Sequence, residues 1–311
     1  MSRFKMFVLI SLMALAGVIA CGDDEPTVAA PDTILFEFSF SNMDSLDNAY
    51  YQAWALIADG GAYRVGKFNV TSSGQLIDTT GASISGNSFV FEVLPLNEVY
   101  GVGVTIQPEV DTAGTVSPAH LLGGDVSNGS ASLTIDHAAG VNQDFSSVSG
   151  KYILATPTNG IDNDENSGLW YIDNVSGIST AGLVVPTLES GWLYEGWIRV
   201  NGNYYSTGTF SSPSASDDTS RYSSNLQPSP TFPGEDFLVG APSGVTFPLD
   251  LSGEYTMITL EPSPDEAPDS PTSFKILEAA IPSDATDHTV YQLTSTVSSA
   301  LPSGTVTLTV Q

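Results

Sequence analysis

Residues 194–210, YEGWIRVNGNYYSTGTF, decide the fold class of this chain. Tyr194 and Trp197 stand three positions apart at the start, and Phe210 ends the stretch. Between them lies Asn201-Gly202, a pair that tolerates the positive φ angles of a tight hairpin turn. The segments on either side are rich in aromatic and β-branched residues, which favour strands. The stretch therefore predicts a β-hairpin.

A second copy of this pattern lies earlier in the chain. Tyr51 and Trp54 repeat the spacing of three, and Phe68 follows Trp54 by 14 positions, against 13 in the later copy. Further on, VTIQP at 104–108 matches ITLEP at 258–262, and a Ser-Pro pair follows each. Four landmarks in the same order predict a duplicated domain. The period, roughly 145 residues, is too long for a solenoid repeat.

Other apolar segments are also short, β-branched or aromatic, and bounded by Gly, Asn or Ser, which is typical of half-buried strands. They are residues 34–40, 88–93, 101–106, 152–154 and 169–172. Many short strands of this kind predict an all-β chain with two tandem β-sandwich domains rather than α/β units. We place the first domain at residues 33–145 and the second, its internal repeat, at 146–311.

The N-terminal segment has the layout of a lipoprotein export signal. Arg3 and Lys5 precede an apolar stretch over residues 7–16, which is shorter than the roughly 20 apolar residues that span a bilayer. Val18-Ile19-Ala20-Cys21 resembles the lipobox of bacterial lipoproteins. That resemblance implies a signal peptide over residues 1–20, cleavage before the cysteine, and lipidation of its sulfur by acyl chains such as palmitate. An ordinary secretory peptide with a chance cysteine is the alternative.

Residues 21–32 follow as an acidic, flexible tether. Gly22-Asp23-Asp24-Glu25 resembles the surface-export signals of some outer-membrane lipoproteins, and a solvated tether is the alternative. We therefore expect an exported protein held through the lipid on Cys21, in the outer membrane and facing the periplasm or the surface. Because Cys21 is the only cysteine, no disulfide supports the mature fold.

Charge narrows the class of partner. The chain carries 35 Asp and Glu residues against 8 Lys and Arg, a formal net charge of −27. This balance argues against nucleic acid, because phosphate binding requires clustered Lys and Arg. Such a charge keeps a protein soluble but makes it repel itself, and salt or bound divalent cations relieve the repulsion. A saline habitat and calcium binding are both consistent with it.

The repeated pattern resembles a known extracytoplasmic module. Tyr-x-x-Trp, a hairpin, Gly-x-Phe, a strand ending in Gln-Pro or Glu-Pro, and Ser-Pro are similar to the extracytoplasmic domain of anti-sigma-K factors, over residues 33–135 and 168–310. The resemblance implies a β-sandwich outside the membrane with a sensing or binding role. In that family a helix connects this domain to a cytoplasmic sigma-binding domain. The residues after Cys21 contain no apolar run that could span a bilayer, so direct sigma-factor binding is not expected.

An acidic loop at residues 162–168, DNDENSG, is the best local candidate for a metal site. Oxygen ligands at alternate positions can wrap a hard cation such as calcium. The candidate ligands are Asp162, Asp164, Asn166 and, at the twelfth position, Asp173. Ser167 stands where such loops have glycine, and Asp173 replaces the usual glutamate. A solvated turn between strands is therefore the alternative.

The tryptophans have two readings. Trp54, Trp192 and Trp197 are expected in the core, because large aromatic side chains anchor small sandwiches. Trp170 and Trp192 lie near predicted loops, and an exposed aromatic platform for a sugar is the alternative for this pair.

The sequence offers no catalytic constellation. His120, His137 and His288 share no metal-ligand spacing, and no serine lies in a Gly-x-Ser-x-Gly motif. We expect a non-catalytic role in binding, sensing or scaffolding, directed at an envelope protein or a glycan, with no cofactor beyond calcium. The alternatives are a carbohydrate-active or other hydrolytic lipoprotein, and an accessory to an anti-sigma envelope-stress regulator.

Overall fold

Antiparallel strands make up nearly all of the regular structure, so the predicted all-β class is confirmed. The computed structural model describes residues 33–58, 60–92, 96–110, 116–160 and 163–311. The strands of the first part are β1 (Ile34–Ser41), β2 (Ala49–Ile57), β3 (Ala62–Val70), β4 (Leu76–Ile77), β5 (Ser88–Phe91), β6 (Val99–Pro108), β7 (His120–Asp125) and β8 (Ser130–Leu133).

The strands of the second part are β9 (Ser149–Leu154), β10 (Gly168–Trp170), β11 (Ile172–Asp173), β12 (Thr180–Ala181), β13 (Leu183–Val184), β14 (Trp192–Val200), β15 (Asn203–Phe210), β16 (Gly234–Asp236), β17 (Tyr255–Pro262), β18 (Lys275–Ala280), β19 (Tyr291–Ser295) and β20 (Ser303–Val310). The helical elements of the described ranges are 3₁₀ turns at Ser85–Asn87, Leu96–Glu98 and Glu165–Ser167 and one short α-helix, α1 (Val297–Ala300).

The predicted signal peptide at residues 1–20, Cys21 and the tether at 21–32 lie outside the described residues. Within the part of the chain that the structure describes, every helix is too short or too polar to cross a membrane. The export signal and the lipid anchor therefore stay predictions.

Both copies of the quoted pattern form hairpins with the same register. Tyr51 lies opposite Phe68 in the β2–β3 pair, and Tyr194 lies opposite Phe210 in the β14–β15 pair. The two ring pairs stack with centroids 5.6 and 5.5 Å apart. A β-bulge falls directly before the tryptophan in each hairpin, between Ala53 and Trp54 and between Gly196 and Trp197.

The repeat extends to four strands. The order β3-β2-β6-β7 in one sheet corresponds to β15-β14-β17-β18 in another. A second bulge recurs at the same place, after Val104 in the β6–β7 pair and after Ile258 in the β17–β18 pair. The repeated sequence therefore coincides with a repeated four-stranded unit, and we call these units the first and second repeat.

The C-terminal strand does not stay with the second repeat. β20 pairs with β1 along its whole length, with Ile34 opposite Val310, in a sheet of order β5-β1-β20-β8. The predicted boundaries, 33–145 and 146–311, therefore do not enclose separate sheets, and the described residues all fall within one compact unit. Strand β1 buries one face and needs a partner along its edge, and β20 supplies one.

Part of the hydrophobic core lies between this sheet and the sheet of β4-β3-β2-β6-β7. Phe36, Phe38 and Phe40 of β1 are buried on one face because side chains alternate along a strand. Two of these rings, Phe38 and Phe40, stack on Phe68 of β3 with centroids 6.3 and 5.2 Å apart. The two sheets thus pack face to face, as in a β-sandwich.

Candidate functional site

A cleft of about 410 Å³ lies between corresponding segments of the two repeats. Pro108, which ends β6, lines it from the first repeat, and Pro262, which ends β17, lines it from the second. The Ser-Pro segments that follow these strands, at Ser117 and Ser270, contribute in the same way. The duplication therefore creates the cleft, because equivalent strand ends of both units converge there.

The rim of the cleft is acidic. Its charged lining residues are Asp44, Asp47, Asp265, Glu266 and Lys275. Lys275, the one cation among the described lining residues, is engaged in an ion pair with Glu278 of its own strand. The cleft thus presents a net negative field to any ligand that enters it.

Three carboxylates meet beside this cleft. Glu195, Glu261 and Asp265 each place one oxygen within 4.8 Å of the others, and Asp265 also lines the cleft. Glu195 lies opposite Thr259 in the β14–β17 ladder, and Glu261 is two residues further along β17. Side chains two positions apart share one face of a strand, so the two glutamates are diagonal neighbours. We call these three residues the carboxylate cluster.

Hydroxyl and backbone donors hold at least one oxygen of each carboxylate. Thr259 donates its hydroxyl to Oε1 of Glu261, and the backbone N–H of Thr272 lies 3.0 Å from the same oxygen. The N–H of Ala267 donates to Oδ1 of Asp265 at 2.8 Å. Ser206 donates to Oε1 of Glu195, whereas Oε2 of Glu195 is buried without a donor.

The cluster lacks a compensating cation. Glu195 is 3% exposed and Glu261 is 1% exposed. Burial and, to a lesser extent, the negative charge of the nearby Asp265 raise the pKa of Glu195 to about 8. Burial also raises the pKa of Glu261 well above its ordinary value. Across the described ranges, no lysine, arginine or histidine forms an ion pair with any of the three carboxylates.

The first repeat has neutral residues at the matching positions. Gln52 occupies the position of Glu195, and Gln107 occupies that of Glu261. The Gln52 amide donates to the carbonyl of Gly66 at 2.7 Å, and the Gln107 amide lies 3.3 Å from the Thr105 hydroxyl. All four side chains are buried, but the first repeat has amides where the second repeat has carboxylates.

The loop predicted to bind calcium is arranged differently. Asp162 lies outside the described residues. Asp173 pairs with Lys151, with Nζ and Oδ2 2.5 Å apart, and Asn166 turns its amide toward the Ser252 hydroxyl at 3.1 Å. Asp164 has a left-handed backbone, with a φ of 57°. In the described part of the chain, the acidic group close enough to share a cation is the carboxylate cluster. Calcium at the loop stays a prediction.

The tryptophans are buried. Trp54 and Trp192 are each 4% exposed, Trp197 is 0% exposed and Trp170 is 1% exposed. The core prediction is therefore confirmed for its three residues, and the exposed platform of Trp170 and Trp192 is wrong. These side chains can be buried because each indole N–H has a hydrogen-bond acceptor in the interior. Trp170, for example, donates its indole N–H to Oδ1 of Asp236 at 2.7 Å.

Among the described residues, no histidine belongs to a group of side chains that could share a metal ion. His137 contacts Asp125 at 3.3 Å, and His288 contacts Asp287 at 3.5 Å. Burial lowers the pKa of His120. None of the described serine hydroxyls is hydrogen-bonded to a histidine ring.

Comparison with known proteins gives no relative to reason from. Searches against protein-family models, curated proteins and solved structures found no match. The resemblance to anti-sigma-K factors stays a prediction, and the function is inferred from the site's own chemistry.

Sequence reasoning considered the acidic loop that contains Asp265 as an exposed turn, with a secondary metal site as the alternative, but it missed Glu195 and Glu261. The signal was present in the aligned repeats, as Gln52 against Glu195 and VTIQP against ITLEP. An exchange of amide for carboxylate at two aligned positions marks a change of chemistry on an unchanged framework.

Proposed function

We propose that this protein is an exported, lipid-anchored protein of the cell envelope with a non-catalytic binding role. We further propose that its cleft takes a basic segment of an envelope protein. The acidic rim carries this proposal: Asp44, Asp47, Asp265 and Glu266 surround a cleft whose lysine is already paired. A lysine- or arginine-bearing chain is the partner that such a field attracts.

Peptide binding tests the cleft. We would measure fluorescence anisotropy of a labelled lysine-rich peptide and of a glutamate-rich peptide of the same length, at low and high salt. The lysine peptide is expected to bind and to weaken with salt. Asp44→Asn/Asp47→Asn should weaken it several-fold. The matched control, Asp136→Asn/Asp284→Asn, removes the same charge from exposed positions outside the cleft lining.

Equal weakening by the two double variants would show general charge attraction and would contradict a cleft site. Mass spectrometry of the bound peptide distinguishes binding from hydrolysis. An intact peptide supports a non-catalytic role, and cleavage products support the hydrolytic alternative.

The anchor has its own test. Metabolic labelling with a palmitate analogue in a bacterial host is expected to mark the wild type and to spare Cys21→Ser. Equal labelling of both would contradict the lipid anchor, and it would leave the cleft proposal to the peptide experiment.

A further inference from the structure

We propose that Glu195, Glu261 and Asp265 bind one calcium ion. This site is distinct from the loop at residues 162–173, and it stands whether or not the cleft binds a basic peptide.

The spacing of the cluster fits a shared cation. Calcium takes oxygen ligands at about 2.3–2.6 Å, so two oxygens on one ion lie at most about 5 Å apart. Glu195, Glu261 and Asp265 each offer an oxygen within 4.8 Å of the other two. The ladder that pairs β14 with β17 fixes the two glutamates, and the N–H of Ala267 fixes Asp265.

An unpartnered oxygen points to a missing ligand. Glu195 is 3% exposed, and its Oε2 is buried without a donor, although Ser206 occupies its Oε1. A buried polar atom without a partner is costly and uncommon in native proteins. A cation held among the three carboxylates supplies the partner that this oxygen lacks.

The two repeats differ in charge at this face. In the first repeat, Lys67 lies over the Tyr50 ring at 4.3 Å and Arg64 lies over the Trp54 ring at 5.5 Å. Pairing in the hairpins places Thr209 of the second repeat at the position of Lys67, and Ser206 at that of Arg64.

The second repeat therefore carries hydroxyl side chains where the first repeat has Lys67 and Arg64. Its own cations, Arg199 and Lys275, lie over the Tyr255 ring instead. A bound divalent ion would supply the partner that these carboxylates need in order to stay ionised, because a buried carboxylate without a cation takes up a proton instead.

The donor set selects calcium among common divalent ions. Carboxylate and hydroxyl oxygens suit hard cations, whereas zinc prefers nitrogen and sulfur ligands. Calcium accepts irregular geometry, and magnesium requires a near-ideal octahedron at shorter distances. Asp265 is half-buried and lines the cleft, so the ion has an entry route and room for water ligands.

Calorimetry on chelator-treated protein tests the site. Wild type is expected to bind calcium at a site that Glu195→Gln and Glu261→Gln each weaken at least tenfold. These variants install the residues that the first repeat carries, so the fold is expected to persist, and circular dichroism checks it. Asp164→Asn, in the loop at residues 162–168, is the matched control and should retain the cluster's calcium.

Two further measurements distinguish a cluster that binds calcium from one in which the carboxylates share protons. Coordination requires ionised carboxylates, so binding near neutral pH should release protons, seen as a heat that depends on the buffer. Terbium in place of calcium should luminesce through Trp197, which is hydrogen-bonded to Thr259 beside Glu261. Absence of calcium uptake by wild type, or uptake that neither glutamine variant changes, would overturn the proposal.

Discussion

Trp197 donates its indole N–H to the hydroxyl of Thr259 at 2.9 Å, and Trp54 makes the same bond to Thr105 at the same distance. In the second repeat the Thr259 hydroxyl in turn donates a hydrogen bond to Glu261, so a buried tryptophan helps to orient a carboxylate. In the first repeat the corresponding acceptor is next to the amide of Gln107. The same Trp–Thr hydrogen bond therefore lies next to an amide in the first repeat and next to a carboxylate in the second.

Trp197→Phe should cost about 2 kcal/mol of unfolding free energy, from the lost hydrogen bond and the lost packing. It should also weaken calcium binding, because the Thr259 hydroxyl loses the bond that fixes it. Trp54→Phe is the matched control and should cost a similar amount without changing calcium binding. Urea unfolding and calorimetry measure the two effects, and equal calcium affinity in both variants would contradict the role of this bond.

Replacing the two glutamates of the second repeat by glutamine should stabilise the protein, whereas placing a glutamate at a matching position of the first repeat should destabilise it. In chelator at about pH 8, Glu195→Gln/Glu261→Gln should raise the thermal midpoint, since it removes two buried acids. Gln52→Glu should lower the unfolding free energy by about 3 kcal/mol, because a carboxylate there faces the carbonyl of Gly66 without a donor. A Gln52→Glu variant as stable as the wild type would contradict the cost assigned to burying this carboxylate.

Stability in chelator should fall as the pH rises from about 5 to about 8. Burial raises the pKa of Glu195 and Asp217 to about 8 and that of Glu235 to about 7. An unfolded chain releases these protons near pH 4, so the folded state binds more protons between these values. The unfolding free energy then decreases with pH until the folded pKa is passed. Urea unfolding across this range checks the sign, and a rise would contradict it.

Removing β20 should unfold the first repeat. Val306 and Leu308 of this strand are buried, and the strand pairs with both β1 and β8. A fragment of residues 33–145 should therefore lack a cooperative thermal transition. The same fragment joined by a glycine-rich linker to residues 303–311 should regain one. Cooperative unfolding of the shorter fragment would show that β20 is dispensable.

The features that could be predicted from the sequence are those set by residues close together along the chain. The hairpin at 194–210 and its copy at 51–68 follow from period-two patterns and turn residues, which act over a few positions. The pairing of β1 with β20 joins the two ends of the described fold and leaves no local pattern. For this reason the predicted boundary at residue 145 did not separate the sheets.

The same limit applies to the site. Consecutive oxygen-bearing residues made the loop at 162–168 conspicuous, although Asp173 is paired with Lys151. Glu195 and Glu261 lie 66 positions apart, and only the β14–β17 register makes them neighbours. Their exchange for Gln52 and Gln107 was visible once the repeats were aligned, but its meaning depends on burial.

Crystallographic location of the ion tests the central claim most directly. Crystals grown with calcium, or soaked in terbium for its anomalous signal, should show one peak about 2.5 Å from oxygens of Glu195, Glu261 and Asp265. The matching face of the first repeat, at Gln52 and Gln107, should show none. Well-ordered carboxylates with no peak between them, at calcium concentrations that saturate the protein, would contradict the account.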